Sequence, residues 1–394
     1  MTSREFRSGV LASYGAGTKE IDELLAYTEN IFDLSGFAEP IKFPLTAEEH
    51  IATWQEYVIQ AKNFGAFETL QKKLPQFCFP IKEGISETSA YQSATRKGLS
   101  VRDMPEASGL QLQEAEKLQL FVHQSLAGAI PVIIPGNRTD FVSIVQALTK
   151  KNEPSHVPDS MGACMIGGFN NWDRIHKYKQ KWQANHPEYT EASWNVEFQR
   201  LIKQKELYQD RFIILSQGEY SNVPAEDVGL ASAQWQQFSL TIRLEHECTH
   251  YFTKRLFGSM RNNLLDEFIA DYRGIVAATG CYRDDWFLRF MGLESFPNYR
   301  VGARLENYRE NLSDSSLEVL KSLVFHAAKN LKTFELRQTN DVSPAIMLSA
   351  LCQLTLEELA SDEFEAFVCQ ALHFIEETDI EQTGVRSWEL GVGS

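Results

Sequence analysis

Residues 239–280 read SLTIRLEHECTHYFTKRLFGSMRNNLLDEFIADYRGIVAATG, two helix-forming runs joined by a short polar link. Ser239 to Phe257 contains neither Pro nor Gly, and Gly258 follows it where a helix C-cap is wanted. Lys254 and Arg255 fall in the last turn and complement the helix dipole. Leu240, Leu244, Cys248, Tyr251 and Phe252 give an apolar flank. Within this run, His246-Glu247-Cys248-Thr249-His250 fits H-E-x-x-H. Residues four apart lie one turn above each other on one helix face. Two imidazoles so placed can both reach a single Zn²⁺ at about 2.0–2.1 Å. Glu247 lies on the flank of that face, within reach of a water on the metal as general base. Cys248, at an x position, is expected to point away from the metal as a small buried residue.

A catalytic zinc site takes three protein ligands and keeps one position open. Leu264 to Thr279 reads as a second helix with Asn262 or Asn263 as N-cap, and it carries Glu267 and Asp271 on one face. Glu267 can complete a His₂Glu set. Asp271 can accept the spare N–H of a ligand imidazole, most naturally that of His246, which fixes the tautomer and raises ligand basicity.

HECTH followed by a helix carrying DEFIAD resembles the gluzincin clan of zinc metallopeptidases, the thermolysin-like architecture. Glu267 follows His250 by 17 positions, which suits a connecting loop and the first turn of such a second helix. The metzincin pattern fails, because Thr253 and Leu256 stand where it requires Gly and His. The resemblance spans Ser239 to Gly280. It implies hydrolysis of a peptide bond in a peptide or protein substrate, with zinc as cofactor and Glu247 moving the proton. It also implies an oxyanion-stabilising group downstream of the third ligand. Tyr299, Arg304, Tyr308 and His326 are the candidates, and Tyr308 and His326 are carried forward as catalytic. His326 sits in a helix that reads as packed, so a core imidazole is its other reading. Three alternatives stand beside the peptidase. The first is a helix pair whose His and Glu are satisfied by ordinary hydrogen bonds. The second is a non-catalytic metal-binding or interaction protein on the same scaffold. The third is a zinc hydrolase of a non-peptide amide.

The chain has 394 residues, 43% of them hydrophobic, enough for a large core in one domain or two. A net charge of −15 argues against a nucleic-acid or anionic-membrane partner. No run of eighteen apolar residues exists, so no transmembrane helix is expected. The start, MTSREFRSGVLASYGAG, lacks the apolar core of a secretory signal. Six scattered cysteines without C-x-x-C read as reduced thiols of a cytoplasmic protein.

The expected fold is α+β and mostly helical, a small mixed sheet packed on the zinc-binding helix pair. Residues 1–105 form an N-terminal helical region and long loop, 106–280 the α/β catalytic core, and 281–394 a helical C-terminal subdomain. Thr46 with Glu49 makes a capping box before HIATWQEYVIQAKNF, with His50 on the surface. Leu74 to Pro105 is irregular but should fold back, since Phe77, Phe79 and Tyr91 want burial. Ser108 caps a helix to Leu126, Ala129 to Pro135 is a buried strand, and Thr139 to Lys150 is a helix. Gly136-Asn137-Arg138 between them reads as an ordinary turn. Ala163 to Ile166 is a strand, either central or the edge that the resemblance would pair with substrate. Asn170 or Asn171 caps the helix after it. Glu191 to Leu207 is helical and Arg211 to Leu215 is a strand. His156, His176 and His186 read as surface or packing residues. The loop before the zinc helix offers Tyr220, Asn222 and Asp227 as cleft contacts. Helices are expected at Asp284–Met291, Ser313–Lys332, Ser343–Leu354 and Thr355–Glu377. The tail TGVRSWELGVGS is expected to fray.

Overall fold

Both runs of the 239–280 stretch are helices in the computed structural model, which describes residues 3–34, 41–337 and 342–377 and the backbone of 381–382. The elements run α1 (Ser3–Ser13), α2 (Thr18–Tyr27), β1 (Lys42–Phe43), α3 (His50–Phe64), α4 (Ala66–Lys73), α5 (Ser89–Lys97), β2 (Gln119–Ser125), β3 (Gly128–Ile134), α6 (Arg138–Thr149), β4 (Ala163–Asn170), α7 (Trp172–Ala184), α8 (Glu191–Leu201), β5 (Gln209–Leu215), α9 (Ser232–Phe257), α10 (Leu264–Thr279), α11 (Asp284–Met291), α12 (Asp314–Arg337), α13 (Pro344–Leu351), α14 (Leu356–Ala360), α15 (Phe364–Glu377) and β6 (Glu381–Gln382). The protein is α+β and mostly helical, as the sequence leads one to expect. No helix among the described residues is long and apolar enough to cross a membrane.

Two compact units interleave along the chain. One is built from Met1–Thr46, Ser125–Ala127 and Glu219–Ser394, the other from Ala47–Gln124 and Gly128–Gly218. The expected breaks at 105 and 280 do not coincide with these boundaries, because the chain passes between the units more than once. The second unit holds a four-stranded sheet in the order β2-β3-β5-β4, with β3 and β5 parallel and β4 antiparallel to β5. All seven residues of β3 are buried, the pattern of a central strand covered on both faces. Ile133 and Ile144 join Trp54, Phe77, Phe141 and Phe212 in one core cluster. The Gly-rich β4 is an edge strand, with a register shift between Gly167 and Phe169.

Several local expectations are corrected. Ser108 to Leu126 is not a helix. Its second half is β2, and Leu118, Leu120 and Val122 point at two-residue intervals toward the core cluster. Asp140 accepts the backbone N–H groups of Gln113 and Glu114 at 2.7 and 2.9 Å, which holds the preceding chain out of a helix. The Thr46–Glu49 capping box does not form; α3 starts at His50 with no side-chain cap. The residues before it are engaged elsewhere, Leu45 N–H with the Leu126 carbonyl and the Thr46 carbonyl with Arg255. The irregular stretch contains α5, capped by Thr88, and buries Phe77, Phe79 and Tyr91. The 191–207 helix stops at Leu201, and the 355–377 helix breaks at Ser361. Asn137 in the expected turn caps α6, and Asn171 caps α7. The tail from Thr383 lies outside the described residues.

His50 is 2% exposed rather than on the surface. Burial pushes its imidazole down to about 4; the Glu48 charge opposes this, the Arg174 charge reinforces it, and Arg211 opposes it through its backbone while its charge reinforces it. The unfolded chain takes up a proton near pH 6.5, but the folded chain waits until about 4. Stability is therefore unaffected by this group above pH 7 and falls as pH drops through that window. Between pH 7 and 5 the loss from His50 alone should approach about 2 kcal/mol. The melting temperature of His50→Gln should fall less over that interval than the wild type's. Parallel pH curves for the two proteins would contradict the assignment.

In the first unit, α9 begins seven residues earlier than expected, at Ser232, and ends at Gly258 with φ 72°. Its buried positions include Ile242, His246, Thr249, His250 and Thr253, a face of three- and four-residue steps. Asn263 precedes α10 at φ 54°, and the Asp266 side chain accepts the Asn262 N–H at 2.8 Å. The two helices meet at Gly274, where a Cβ would stand 2.6 Å from the Ile242 carbonyl oxygen and 3.0 Å from Ile242 Cγ2. Helix propensity alone predicts that Gly274→Ala stabilises by about 1 kcal/mol. The contact is with backbone, so the helices must separate, and overpacking of this kind costs about 1–3 kcal/mol. Gly274→Ala should therefore melt at lower temperature than the wild type; a higher melting temperature would refute the close approach.

Candidate metal centre

The face shared by α9 and α10 brings together His246, His250 and Glu267, whose ligand atoms all lie within 4.8 Å of one another. The two imidazole Nε2 atoms face each other at 3.0 Å. Glu267 Oε2 lies 3.4 Å from His246 Nε2, and Oε1 lies 3.6 Å from His250 Nε2. Donors at about 2.0–2.1 Å around a tetrahedral ion would be about 3.3 Å apart, so these three groups fit a metal ion without rearrangement.

The surroundings prepare the donors. His246 Nδ1 donates to Asp271 Oδ1 at 2.8 Å, which leaves the Nε2 lone pair for a metal. Asp271 is fully buried. Its Oδ1 also accepts the Tyr220 hydroxyl proton, and its Oδ2 accepts from Arg304 Nη2 at 2.6 Å. Arg304 Nη1 reaches the Tyr220 hydroxyl at 3.1 Å and Ser221 Oγ at 3.0 Å. Tyr220 is held by its own N–H, which donates to the buried Ser239 Oγ on α9 at 3.0 Å. The next residue, Ser221, sits at φ 53°, a left-handed conformation unusual for a residue other than Gly. Around His250 the arrangement is looser. Its Nδ1 is buried without a hydrogen bond, and Asp266 Oδ2 stands 3.7 Å away.

Electrostatics favour a cation here. Burial by itself would lower the His246 imidazole, but the hydrogen bonds and charges of Asp271 and Glu267 outweigh it and raise it to about 10. Negative charge that holds a proton so firmly would hold a metal cation in its place. Burial and the neighbouring His246 push His250 down to about 4, so it is neutral and can ligate. Glu267 is held well below the usual carboxylate range; burial opposes this, and His246, His250 and Arg304 overcome it. Burial raises Glu247 to about 7, with Glu267 adding to the effect and His246 and Arg243 resisting it. Among the described residues nothing hydrogen-bonds the Glu247 carboxylate. Burial also pushes the Cys248 thiol well up, so it stays protonated beside the centre.

The structure thus joins His246, His250, Glu267 and Asp271 as the spacing suggests. It also brings Tyr308 there, with its hydroxyl 2.8 Å from Glu267 Oε2. His326 is a correction. It is only partly buried, packs against Tyr14, Phe325 and Phe296 at ring-centroid distances of 5.0, 5.4 and 6.3 Å, and among the described residues makes no hydrogen bond to the three donors. Tyr299 bonds the Ala303 carbonyl, and Asp227 pairs with Arg289 at 2.9 Å. Tyr220, expected only to line a cleft, touches both His246 and Asp271. Arg304, one of four downstream candidates, proves to be the group that ties Asp271, Glu267 and Tyr220 together. A single sequence does not single it out from the other candidates, because its partners lie 33, 37 and 84 positions away.

The model of a family of unknown function (DUF7005) matches residues 9–363. No curated protein and no solved structure matches the chain.

Proposed function

We propose that this chain, which belongs to the DUF7005 family, is a zinc-dependent hydrolase, and that its substrate bond is a peptide bond. One observation carries the reading: two imidazole Nε2 atoms and a carboxylate converge within 4.8 Å, next in sequence to Glu247, whose carboxylate no group among the described residues hydrogen-bonds. Two nitrogens and one oxygen of this kind suit zinc. When bound, zinc supplies an acidified water and polarises the substrate carbonyl. The chain's own residues do the rest. Glu247 takes the proton from the attacking water and passes it to the leaving amine. Asp271 holds the His246 tautomer, and Tyr220 and Arg304 hold Asp271. The peptide bond as substrate rests on the gluzincin-like HECTH and DEFIAD helices. The same centre would serve hydrolysis of another amide. Six cysteines without a disulfide, Cys281 and Cys369 of them exposed, suit a reducing cytoplasm.

The experiment pairs zinc analysis of the purified protein with cleavage of a mixed peptide library by wild type and Glu247→Gln. Zinc together with Glu247-dependent cleavage supports a peptidase. Zinc without cleavage of any library member favours a non-peptide amide or a non-catalytic metal protein.

A further inference from the structure

We propose that Tyr308 is a positioning residue that decides which oxygen of Glu267 faces the metal; this rests on the metal-centre reading above. The direction of the hydrogen bonds is fixed by chemistry. Arg304 Nε can only donate, and it reaches the Tyr308 hydroxyl oxygen at 3.0 Å. The phenol oxygen accepts that bond, and its own proton goes to Glu267 Oε2 at 2.8 Å. Arg304 Nη2 approaches the same oxygen at 3.4 Å. Among the described residues no donor is bonded to Oε1, which stands 3.6 Å from His250 Nε2, whereas Oε2, 3.4 Å from His246 Nε2, already carries the phenol proton. The Tyr308 main chain is anchored separately, since the Tyr27 hydroxyl donates to its carbonyl at 2.7 Å.

A carboxylate whose one oxygen accepts a phenol proton offers its charge through the other. Glu267 then ligates through Oε1 alone, and a fourth position on the ion stays open for water. Without the phenol proton only the longer 3.4 Å approach of Arg304 Nη2 still engages Oε2, so Oε2 is freed to join Oε1 on the ion, which would fill that position. Tyr308 thus acts through the ligand, because its proton is committed to Glu267 and is not aimed at the substrate.

The test uses cobalt(II) as a spectroscopic substitute in the full-length protein. Wild type should show the strong visible bands of a four-coordinate ion. Tyr308→Phe should lose band intensity and bind cobalt roughly 10-fold more weakly. Replacing Tyr308 with 4-aminophenylalanine, which keeps an N–H donor at the same reach, should restore the intensity. A Tyr308→Phe protein with wild-type circular dichroism, band intensity and affinity would overturn the proposal. So would failure of the aminophenyl variant to restore what phenylalanine loses. A wild type that takes up no cobalt is a different result, and it removes the metal centre itself.

Discussion

Glu247→Gln is expected to keep its metal and to lose hydrolysis by roughly 10²- to 10⁴-fold, the range for removing a general base. The amide has the shape of the carboxylate but cannot take a proton. Glu247 lies outside the group of three donors, so metal content should be unchanged. Nothing among the described residues hydrogen-bonds its carboxylate, so the substitution strands no partner. Burial already disfavours its charge, and the neutral amide should leave the protein at least as stable. The measurement is kcat on any peptide that the library yields, with zinc content and melting temperature as controls. Undiminished kcat in a zinc-loaded variant would place the base elsewhere.

His250→Ala should abolish metal-dependent stability. Among the three donors, His250 has the fewest other duties, because its Nδ1 makes no hydrogen bond among the described residues. Losing Asp271, an outer partner, would weaken metal binding about 10- to 100-fold, and losing a donor itself should cost more. Wild type in zinc at a hundred times its dissociation constant gains about 2.7 kcal/mol over the metal-free protein. Its melting temperature should therefore drop when a chelator is added. His250→Ala should melt at one temperature with or without zinc. A chelator shift that survives in His250→Ala would mean that the ion sits elsewhere. Asp271→Asn should fall between the two, since it weakens the hold on His246 without removing a donor.

The inner part of the centre was legible because it is local. His246 and His250 are one turn apart on one helix, and Glu267 and Asp271 repeat that spacing on the next. The helix ends were marked by Gly258 and Gly280, both left-handed C-caps. Buried strands such as β3 announced themselves by unbroken apolar sequence. What escaped was set by distant partners. The 108–126 segment is rich in helix-forming Glu, Gln and Lys, yet Asp140 and the core claim it as irregular chain with one 3-10 turn, followed by a strand. His50 looks like a polar first-turn residue, and only tertiary packing buries it. Tyr308 and His326 are both carried forward as downstream candidates, His326 with a core imidazole as its other reading. One reaches Glu267 and the other fills an aromatic cluster, a distinction of tertiary placement that no spacing encodes.

The most direct test of the central claim is the zinc content of the purified chain by elemental analysis after equilibration with zinc and removal of loose metal. The account predicts about one ion per chain in wild type and in Glu247→Gln, and almost none in His250→Ala. Wild type that retains no zinc, or His250→Ala that retains as much as wild type, would contradict it.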